Sequence, residues 1–441
     1  MHWFHVICIL GFFAGLKLLG SVKTARLGNA ISAISMLLAI LAAPCGKHFW
    51  GIWAALGAGA AAGALCAFSL PITAAPQLVA LLNSLGGLAS LLVAAVALDL
   101  SSPFLALSAA FAIFVGGITF TGSTVACAKL AGWVPSRPVA VRPAKGANPL
   151  LTGVALLCAA ALAIGLRCEL FLIFLSLALG LTLILPIGGG DMPVVISLLN
   201  SLSGVAAALA GLLIGDISVT VTGCLVGASG TLLTFSMCRA MNRSLATVLF
   251  GSTASSLQKK QATAAATAIA PEDARWILEA ARRVCIVPGY GLALAQAQHA
   301  AKAFSEALGK GGADVFFVLH PVAGRMPGHM SVLLAEADVA YDQLVELGEA
   351  NRRMDQVDVA LVVGANDTVN PAAAEDSGSP LYGMPVVEVW RARTVLVLKR
   401  GSGGGFSGLD NPLFARGNVR MVFGDAKKIL QDLVTILEED R

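Results

Sequence analysis

Nine apolar stretches fill most of the first 250 residues and leave this part of the chain few ways to fold. About 20 apolar residues cross a bilayer as a helix, and each stretch approaches that length. The whole chain is 57% hydrophobic and 13% charged, and residues 1–250 hold only four carboxylates and eleven basic side chains. We therefore predict a polytopic α-helical membrane domain over residues 1–250, with about nine helices near residues 3–20, 29–45, 50–70, 77–98, 104–128, 149–166, 169–187, 192–214 and 217–238.

The charges between these stretches predict the orientation of the helices. With nine spans and a cytoplasmic carboxyl terminus, eight basic residues face the inside and two face the outside, in agreement with the positive-inside rule. The inside residues are Lys23, Arg26, Lys129, Arg137, Arg142, Lys145, Arg239 and Arg243, and the outside residues are Lys47 and Arg167. We therefore expect the rest of the chain to lie in the cytoplasm.

Small side chains recur four residues apart in two of the apolar stretches. Gly57–Gly63 and Gly223–Gly230 both follow this pattern, which is typical of helices that pack closely in a membrane. The first stretch also superficially resembles a dinucleotide fingerprint. No soluble strand precedes it, so we predict close helix packing instead.

Four of the polar residues at membrane depth are candidates for a functional role, because polar residues are costly there and tend to serve function. They are Asn83, Ser123, Asp191 and Asn200. A buried Asn also often forms a hydrogen bond between helices, and Asp191, which follows three glycines, could instead be a helix N-cap. The residues by themselves leave these alternatives open.

The cysteines and histidines argue against a metal or haem site. The nine cysteines form no Cys-x-x-Cys pair, and eight of them lie in or beside apolar stretches, where they are expected to pack as small side chains. None of the six histidines lies in the middle of an apolar stretch, so bis-histidine haem ligation is not expected. We predict no metal ligands in this chain.

The last 191 residues have a different composition. They hold 22 carboxylates and 19 basic side chains, and this slightly acidic balance argues against nucleic-acid binding, which requires clustered cationic surface. Residues 251–275 are rich in Ser, Thr, Ala and Gln and predict a linker that permits relative motion of the two halves. Residues 276–441 are then expected to form a soluble domain.

Strand and helix patterns alternate in this domain, which predicts an α/β doubly wound, Rossmann-like parallel sheet with its ligand at the carboxyl ends of the strands. Strand candidates are 284–287, 314–319, 343–346, 358–363, 386–389, 394–398 and 419–423. Helix candidates are 291–309, 328–337 and 425–437.

A glycine turn follows the first predicted strand. The glycines of Gly289-Tyr290-Gly291 would let the backbone approach a pyrophosphate at the start of a helix. Leu294 stands where the dinucleotide fingerprint has Gly or Ala, so the match is imperfect. Glycine turns also end strands for packing reasons, and the turn alone does not separate the two interpretations.

Two features favour NADP over NAD. The second strand ends at His320, where an NAD-binding domain has an acidic residue for the ribose 2′-hydroxyl, and Arg325 follows it nearby. The pair Lys399-Arg400 ends another strand and precedes Gly-Ser-Gly-Gly-Gly, so it supplies cations beside a flexible backbone. The alternative for this pair is a solvated charge pair.

Several longer motifs resemble the beta subunit of the proton-translocating NAD(P) transhydrogenase. In the soluble domain they are Pro288-GYG, His320-PVAGRMPGHM330, Gly364-ANDTVNPAA373, Gly383-MPVVEVW390, Lys399-Arg400, Asn411-PLF414 and Phe423-GDAKK428. In the membrane domain they are Thr119-FTGS123, Gly190-DMPVV195, Leu199-NS201 and Cys238-RAMNRS244. The resemblance covers nearly the whole chain.

This resemblance implies a division of labour between subunits. The chain would bind NADP(H) and supply part of a proton channel, and an alpha subunit would bind NAD(H). The alpha–beta unit is expected to form a homodimer in the bacterial inner membrane.

The resemblance also implies roles for individual residues. Asp367 would lie near the nicotinamide, and Lys399 and Arg400, rather than Arg325, would take the 2′-phosphate. The other implied cofactor contacts are Gly289, Tyr290, Gly291, Val322, Ala323, Gly324, Arg325, Gly364, Asn366, Gly424 and Asp425. The residues implied for proton passage are Asn83, Ser123, Asp191 and Asn200.

Two positions depart from the family pattern. Asn83 stands where members commonly have a protonatable His, and Phe406 stands where a Tyr is usual. Two other functions remain as alternatives: a transporter or channel with an NADP(H)-sensing domain, and a membrane NADPH reductase that feeds quinone or haem. The second would require a flavin or haem, for which the sequence shows no ligands.

Overall fold

The computed structural model describes residues 2–19, 24–42, 49–71, 74–135, 139, 144–241, 244–250, 267–324, 328–379, 381–401, 405 and 409–439. The chain divides into two compact units. We call Met1–Ile187 with Val195–Thr234 the helical unit, and Gly188–Val194 with Phe235–Arg441 the sheet unit.

Nine long helices occupy the described residues before Ser244, which confirms the predicted helical domain. They are α1 His2–Leu19, α2 Ala25–Ala42, α3 Phe49–Ser69, α4 Ala75–Val96, α5 Pro103–Leu130, α6 Ala144–Ala163, α7 Glu169–Ile184, α8 Met192–Leu213 and α9 Ile217–Ala240. Five of them (α3, α4, α5, α8 and α9) are long and apolar enough to cross a membrane, and the other four contain shorter apolar helices. This part of the protein is therefore suited to a bilayer.

Helix α5 shows how the sequence sets the ends of these helices. Pro103 occupies the first turn, where its missing N–H costs nothing, and Ser102 before it is extended. At the other end Gly132 has a φ of +80°, a left-handed conformation that stops a helix and favours glycine.

Glycines allow close crossings within the helical unit. A β-carbon added at Gly87 of α4 would lie 2.8 Å from the carbonyl oxygen of Gly116 of α5, and one at Gly223 of α9 would lie 2.4 Å from the Ala208 nitrogen of α8. The small residues of α9 therefore pack closely, as predicted. In contrast, β-carbons added at Gly57, Gly59 and Gly63 of α3 would have no neighbour within 4 Å among the described residues.

The sheet unit contains a six-stranded parallel sheet in the order β3-β2-β1-β4-β5-β6. The strands are β1 Arg283–Pro288, β2 Asp314–Leu319, β3 Leu344–Glu346, β4 Val359–Val363, β5 Thr394–Lys399 and β6 Val419–Phe423. The predicted Rossmann-like sheet is confirmed.

Helices cover both faces of this sheet. One apolar cluster joins Ile286 to Phe304 and Leu433, and the other joins Cys285 to Ala350 and the loop that follows β4. The helices of the sheet unit are α10 Leu245–Phe250, α11 Pro271–Glu279, α12 Tyr290–Leu294, α13 Gln298–Lys310, α14 His329–Glu336, α15 Leu347–Arg353, α16 Ala372–Glu375 and α17 Ala426–Glu439.

Part of the predicted linker packs onto the sheet. Residues 251–266 lie outside the described residues. The Ile269 N–H donates to the Met421 carbonyl at 2.9 Å, Ala268 forms an isolated parallel bridge with Met421, and Ala274 of α11 is fully buried.

Two local predictions were wrong. Residues 291–309 form two helices, α12 and α13, because Gln296 between them adopts a left-handed conformation with a φ of +48°. Residues 386–388 form a loop and Val389 begins a 3-10 turn, so this segment is not a strand. A side chain, and not a neighbouring strand, bonds a carbonyl of this segment: the Asn351 amide donates to the Val386 carbonyl at 2.9 Å. Val387 is buried against the sheet.

Candidate nucleotide-binding site and membrane polar residues

The loops at the carboxyl ends of β1 and β4 form the centre of the candidate site. These strands are neighbours, but their chain connections lead in opposite directions across the sheet. Doubly wound sheets bind ligands in the crevice at such a reversal. The site therefore begins with the segments that follow Pro288 and Val363.

Glycines bring these two loops into backbone contact. The Gly289 N–H donates to the Val363 carbonyl and the Gly291 N–H to the Gly364 carbonyl, both at 2.9 Å. A β-carbon added at Gly289 would lie 2.4 Å from the Ala365 α-carbon, and one at Gly291 would lie 2.6 Å from the Gly364 α-carbon. Gly364 itself has a φ of +65°. Loop packing alone therefore requires glycine here, in addition to any contact with a nucleotide.

His320, at the end of β2, fixes the next loop as a neutral imidazole. Its Nε2 lies 2.7 Å from the Pro385 carbonyl oxygen, and its Nδ1 accepts the Val322 N–H at 3.2 Å. Nδ1 therefore carries no proton, and Nε2 donates to the carbonyl. Burial lowers the pKa of His320 to about 4, although the bond to Pro385 opposes the shift. His320 thus connects β2, the Val322 loop and the loop after β4.

We expect this histidine to make the stability of the sheet unit depend on pH. The folded chain keeps His320 neutral to a pKa of about 4, whereas the unfolded chain binds a proton below the ordinary value of 6.5. Stability is therefore fully present above pH 6.5 and decreases as the pH falls towards 4, by roughly 3 kcal/mol. Unfolding of the wild type and of His320→Gln, measured from pH 7.5 to 4.5, checks this. Their difference in unfolding free energy should shrink as the pH falls, and a constant difference would contradict the assignment.

The Val322–Gly324 loop packs against the start of α14. Ala323 is buried, and Gly324 has a φ of +107°. A β-carbon at Gly324 would lie 2.7 Å from the β-carbon of His329, whose ring makes an edge contact with the Tyr290 ring at 6.5 Å between centroids. The loops after β1 and β2 are thereby brought together. Arg325 lies outside the described residues, and so does Phe406.

Lys399 and Asn366 join the loops after β5 and β4. The Lys399 ammonium donates to Asn366 Oδ1 at 2.8 Å, and Asn366 Nδ2 donates to Asp367 Oδ1 at 3.0 Å. Burial lowers the pKa of Lys399, and the nearby Asp367 carboxylate partly opposes that effect. Arg400, the next residue, is exposed. Four residues proposed from separate motifs therefore lie in adjoining loops at one edge of the sheet.

Gly424 and Asp425 follow β6 at the same edge. The Gly424 N–H donates to the Lys399 carbonyl at 3.1 Å, which continues the ladder beyond the strand. Asp425 Oδ1 accepts the Lys427 N–H at 3.0 Å and the Lys428 N–H at 3.3 Å, so this residue caps helix α17.

Three of the four polar membrane residues lie in the helical unit. Asn83 is buried on α4, and its Nδ2 lies 3.4 Å from the Ile196 carbonyl of α8, so it forms a long hydrogen bond between helices. Ser123 of α5 is fully buried, and its hydroxyl has no hydrogen-bond partner among the described residues. Asn200 is half-buried on α8.

Asp191 lies in the segment Gly188–Val194, which belongs to the sheet unit. It is the third residue of the short 3-10 turn Gly189–Asp191, which leads into α8. Gly188 is the N-cap of this 3-10 turn, and Asp191 directly precedes Met192, the first residue of α8. A carboxylate in this position is stabilised by the positive end of a helix.

The prediction for Lys129 was wrong. The prediction put it in an inside loop, whereas it lies in the last turn of α5 and is 1% exposed. Its ammonium donates to the Leu185 carbonyl at 2.5 Å and to the Ile187 carbonyl at 2.7 Å, just beyond α7. Lys129 therefore satisfies carbonyls that the end of α7 leaves without helix partners. A lone charge in a 28-residue apolar helix was the available signal.

Known proteins resemble this chain along almost its whole length. The model of a family described as NAD(P) transhydrogenase beta subunit matches residues 1–436. Two curated relatives, both named NAD(P) transhydrogenase subunit beta and both from Rhodospirillum rubrum, are each 43% identical to the chain over 452 residues. These matches cover 98% of this chain and 97% of each relative.

Proposed function

This chain belongs to the NAD(P) transhydrogenase beta subunit family, and from that premise we propose that it binds NADP(H) and couples hydride transfer to proton translocation. The membership implies nicotinamide nucleotide binding and an alpha subunit as partner. We propose that the alpha subunit holds NAD(H), that the alpha–beta unit forms a homodimer, and that the protein lies in the bacterial inner membrane with the NADP(H) domain in the cytoplasm.

The proposal rests first on the glycine contact between the β1 and β4 loops, with cations at the same edge of the sheet. Gly289 and Gly364 leave no room for side chains where their loops meet, so backbone forms the floor of the site. We assign Gly289, Tyr290, Gly291, Val322, Ala323, Gly324 and Arg325 to the pyrophosphate region, and Gly364, Asn366, Asp367, Gly424 and Asp425 to the rest of the nucleotide.

The choice of NADP(H) rests on charge. Lys399 and Arg400 offer two adjacent cations for a 2′-phosphate. After β2, where an acid would hold the ribose of NAD, the chain has His320, which is buried and bonded on both ring nitrogens.

Hydride transfer requires the protein mainly to position the nucleotide. Bound NADP(H) supplies or accepts the hydride, so the chain needs no nucleophile. Its residues orient the nucleotide and exclude water, which can account for a large part of a rate enhancement. Asp367 is assigned to the nicotinamide end, where its carboxylate would help to orient the ring.

We place the proton path along Asn83, Ser123 and Asn200 of the helical unit, with Asp191 as a titratable carboxylate. The fully buried Ser123 hydroxyl supports this, because a buried polar group that has no partner among the described residues is suited to bind water. Since Asn83 cannot titrate, protons cross either along water or through a group of the alpha subunit.

The membrane potential would supply enough energy to shift the equilibrium of hydride transfer. At 150–200 mV one proton delivers about 3.5–4.6 kcal/mol. This shifts a hydride equilibrium by about two to three powers of ten. Coupling then requires that the redox state of the bound nucleotide biases a two-state arrangement linked to proton access.

Asn200→Leu tests the proton path. We expect the proton-coupled rate of the alpha–beta complex to fall about tenfold or more, because the substitution removes a polar group from the path, while the affinity for NADPH is unchanged. Thr182→Val is the control, since within the described part of the chain the Thr182 hydroxyl bonds only the Ala178 and Leu179 carbonyls of its own helix. An unchanged coupled rate in Asn200→Leu would remove Asn200 from the path.

A further inference from the structure

We propose that the short turn Pro412–Ala415, with its cap residue Asn411, determines the preference for NADP(H) by holding Lys399 in place for the 2′-phosphate. This inference depends on the proposed function, because it takes Lys399 as a phosphate ligand. Asn411 and Phe414 are then positioning residues that act through Lys399.

Asn411 is fixed at both ends of its amide. It is 3% exposed. Its Nδ2 donates to the Asn366 carbonyl at 2.9 Å, and its Oδ1 accepts the Leu413 N–H at 3.0 Å. Because an amide nitrogen only donates and an amide oxygen only accepts, these two bonds define its orientation. Asn411 therefore ties the Asn366 backbone to the turn.

Asn366 connects the turn to Lys399 through its side-chain amide. Its Nδ2 donates to Asp367 Oδ1, which leaves Oδ1 to accept from the Lys399 ammonium at 2.8 Å. The reversed amide would bring an NH₂ group to the ammonium and an oxygen to the carboxylate, and both contacts would be repulsive. A neutral amide thus stands in one orientation between a carboxylate and an ammonium.

Phe414 holds the same ammonium from the turn. The Lys399 Nζ lies 4.7 Å from the centroid of the Phe414 ring, within the range of a cation–π attraction. The ring is 5% exposed and packs with Leu413 in the core below the sheet, so it cannot follow the lysine if the lysine moves. The ammonium is therefore held by an amide oxygen and an aromatic face.

This arrangement bears on selectivity because NADPH and NADH differ only at the 2′-phosphate. A lysine has a flexible four-carbon stem and a compact charge, so an unrestrained one loses conformational freedom when it binds. Pre-organisation reduces that loss. Loosening Lys399 should therefore weaken NADPH and leave NADH unchanged, whereas general damage to the fold should weaken both.

The experiment uses the full chain reconstituted with its NAD(H)-binding alpha subunit. Asn411→Asp removes the donor to the Asn366 carbonyl. The matched control is Asn370→Asp, since Asn370 is fully buried nearby and donates to the Asp410 carbonyl at 3.2 Å, which is not part of this network. We expect Asn411→Asp to raise the KM for NADPH at least tenfold, with kcat and NADH binding within twofold. Asn370→Asp should keep the wild-type NADPH-to-NADH preference.

A second pair of variants, both at Phe414, tests the inference even if Asn411→Asp fails to fold. Phe414→Leu removes the aromatic face and should lower the preference for NADPH about threefold to tenfold, whereas Phe414→Tyr retains the face and should preserve it. Equal preference in Phe414→Leu, Phe414→Tyr and the wild type would overturn the inference, as would a wild-type preference in a folded Asn411→Asp.

Lys399→Ala separates this inference from the function on which it depends. If Lys399→Ala leaves the NADPH-to-NADH preference unchanged, the assignment of Lys399 to the phosphate fails and the inference fails with it. If Lys399→Ala abolishes the preference while Asn411→Asp and Phe414→Leu keep it, the assignment stands and only the role of the turn is overturned.

Discussion

Replacing both Lys399 and Arg400 with alanine is expected to weaken NADPH binding by about two to four powers of ten while NADH binding changes only a few-fold. A hydrogen bond to a charged group contributes about 1.5–3 kcal/mol, and two such contacts with the 2′-phosphate would be lost. NADH has no phosphate there. Calorimetry of the purified full chain with each nucleotide measures both affinities.

The control for this double variant is a second adjacent basic pair. Arg352 and Arg353 are exposed on α15, and changing both to alanine removes the same charge away from the site. That variant should bind NADPH as the wild type does. An equal loss of NADPH and NADH affinity in the Lys399 and Arg400 variant would contradict the phosphate assignment.

The single variants Lys399→Ala and Arg400→Ala show which of the two cations contacts the 2′-phosphate. Lys399 is joined to Asp367 through Asn366, and Asp367 is assigned to the nicotinamide end of the nucleotide. If Lys399 serves the nicotinamide end, Lys399→Ala will weaken NADPH and NADH equally, and Arg400→Ala alone will change the preference.

Gly289→Ala is expected to destabilise the sheet unit by roughly 3 kcal/mol and to abolish NADPH binding. The new β-carbon would lie 2.4 Å from the Ala365 α-carbon and the Gly364 carbonyl oxygen. Both are backbone atoms, which cannot rotate away as a side chain would, so the β1 and β4 loops must separate. Thermal unfolding and NADPH titration of the full chain measure the two effects.

Gly309→Ala is the matched control, because a β-carbon at Gly309 of α13 would meet none of the residues that the structure describes within 4 Å. Replacing glycine by alanine inside a helix stabilises it by about 1 kcal/mol, so this variant should be at least as stable as the wild type. If Gly289→Ala is as stable as Gly309→Ala and still binds NADPH, the contact between the two loops does not define the site.

Local patterns were sufficient to predict the nine long helices and the six strands of the sheet. The long apolar stretches became α1–α9, and the strands predicted at 314–319 and 419–423 match β2 and β6 residue for residue. Such elements are determined by hydropathy over a few turns or by a short buried run, both of which are visible in sequence. Their existence was therefore easier to predict than their ends.

Predictions failed where distant side chains decide the structure. Val386–Val389 has the composition of a strand, yet His320 bonds the Pro385 carbonyl just before it and Asn351 bonds the Val386 carbonyl, both from other parts of the chain. Lys129 was taken for a loop residue, because nothing near it in sequence shows that it satisfies carbonyls beyond α7. Contacts of this kind depend on the finished fold.

The candidate site shows the same division. The glycines and the Lys399-Arg400 pair were found from sequence, because their motifs are local. The bonds that join Lys399 to Asn366, and Asn366 to Asn411, connect three separate loops, and no spacing rule predicts them.

Proton movement into vesicles that contain the chain, with and without an NAD(H)-binding alpha subunit, tests the central claim most directly. We expect internal pH to change only when the alpha subunit, NADPH and an oxidised NAD analogue are all present, and at a rate that follows hydride transfer. Hydride transfer without any change in pH would contradict the claim. Proton flow that follows the NADP(H) redox state without the alpha subunit would contradict it as well, and would indicate a channel with a nucleotide sensor.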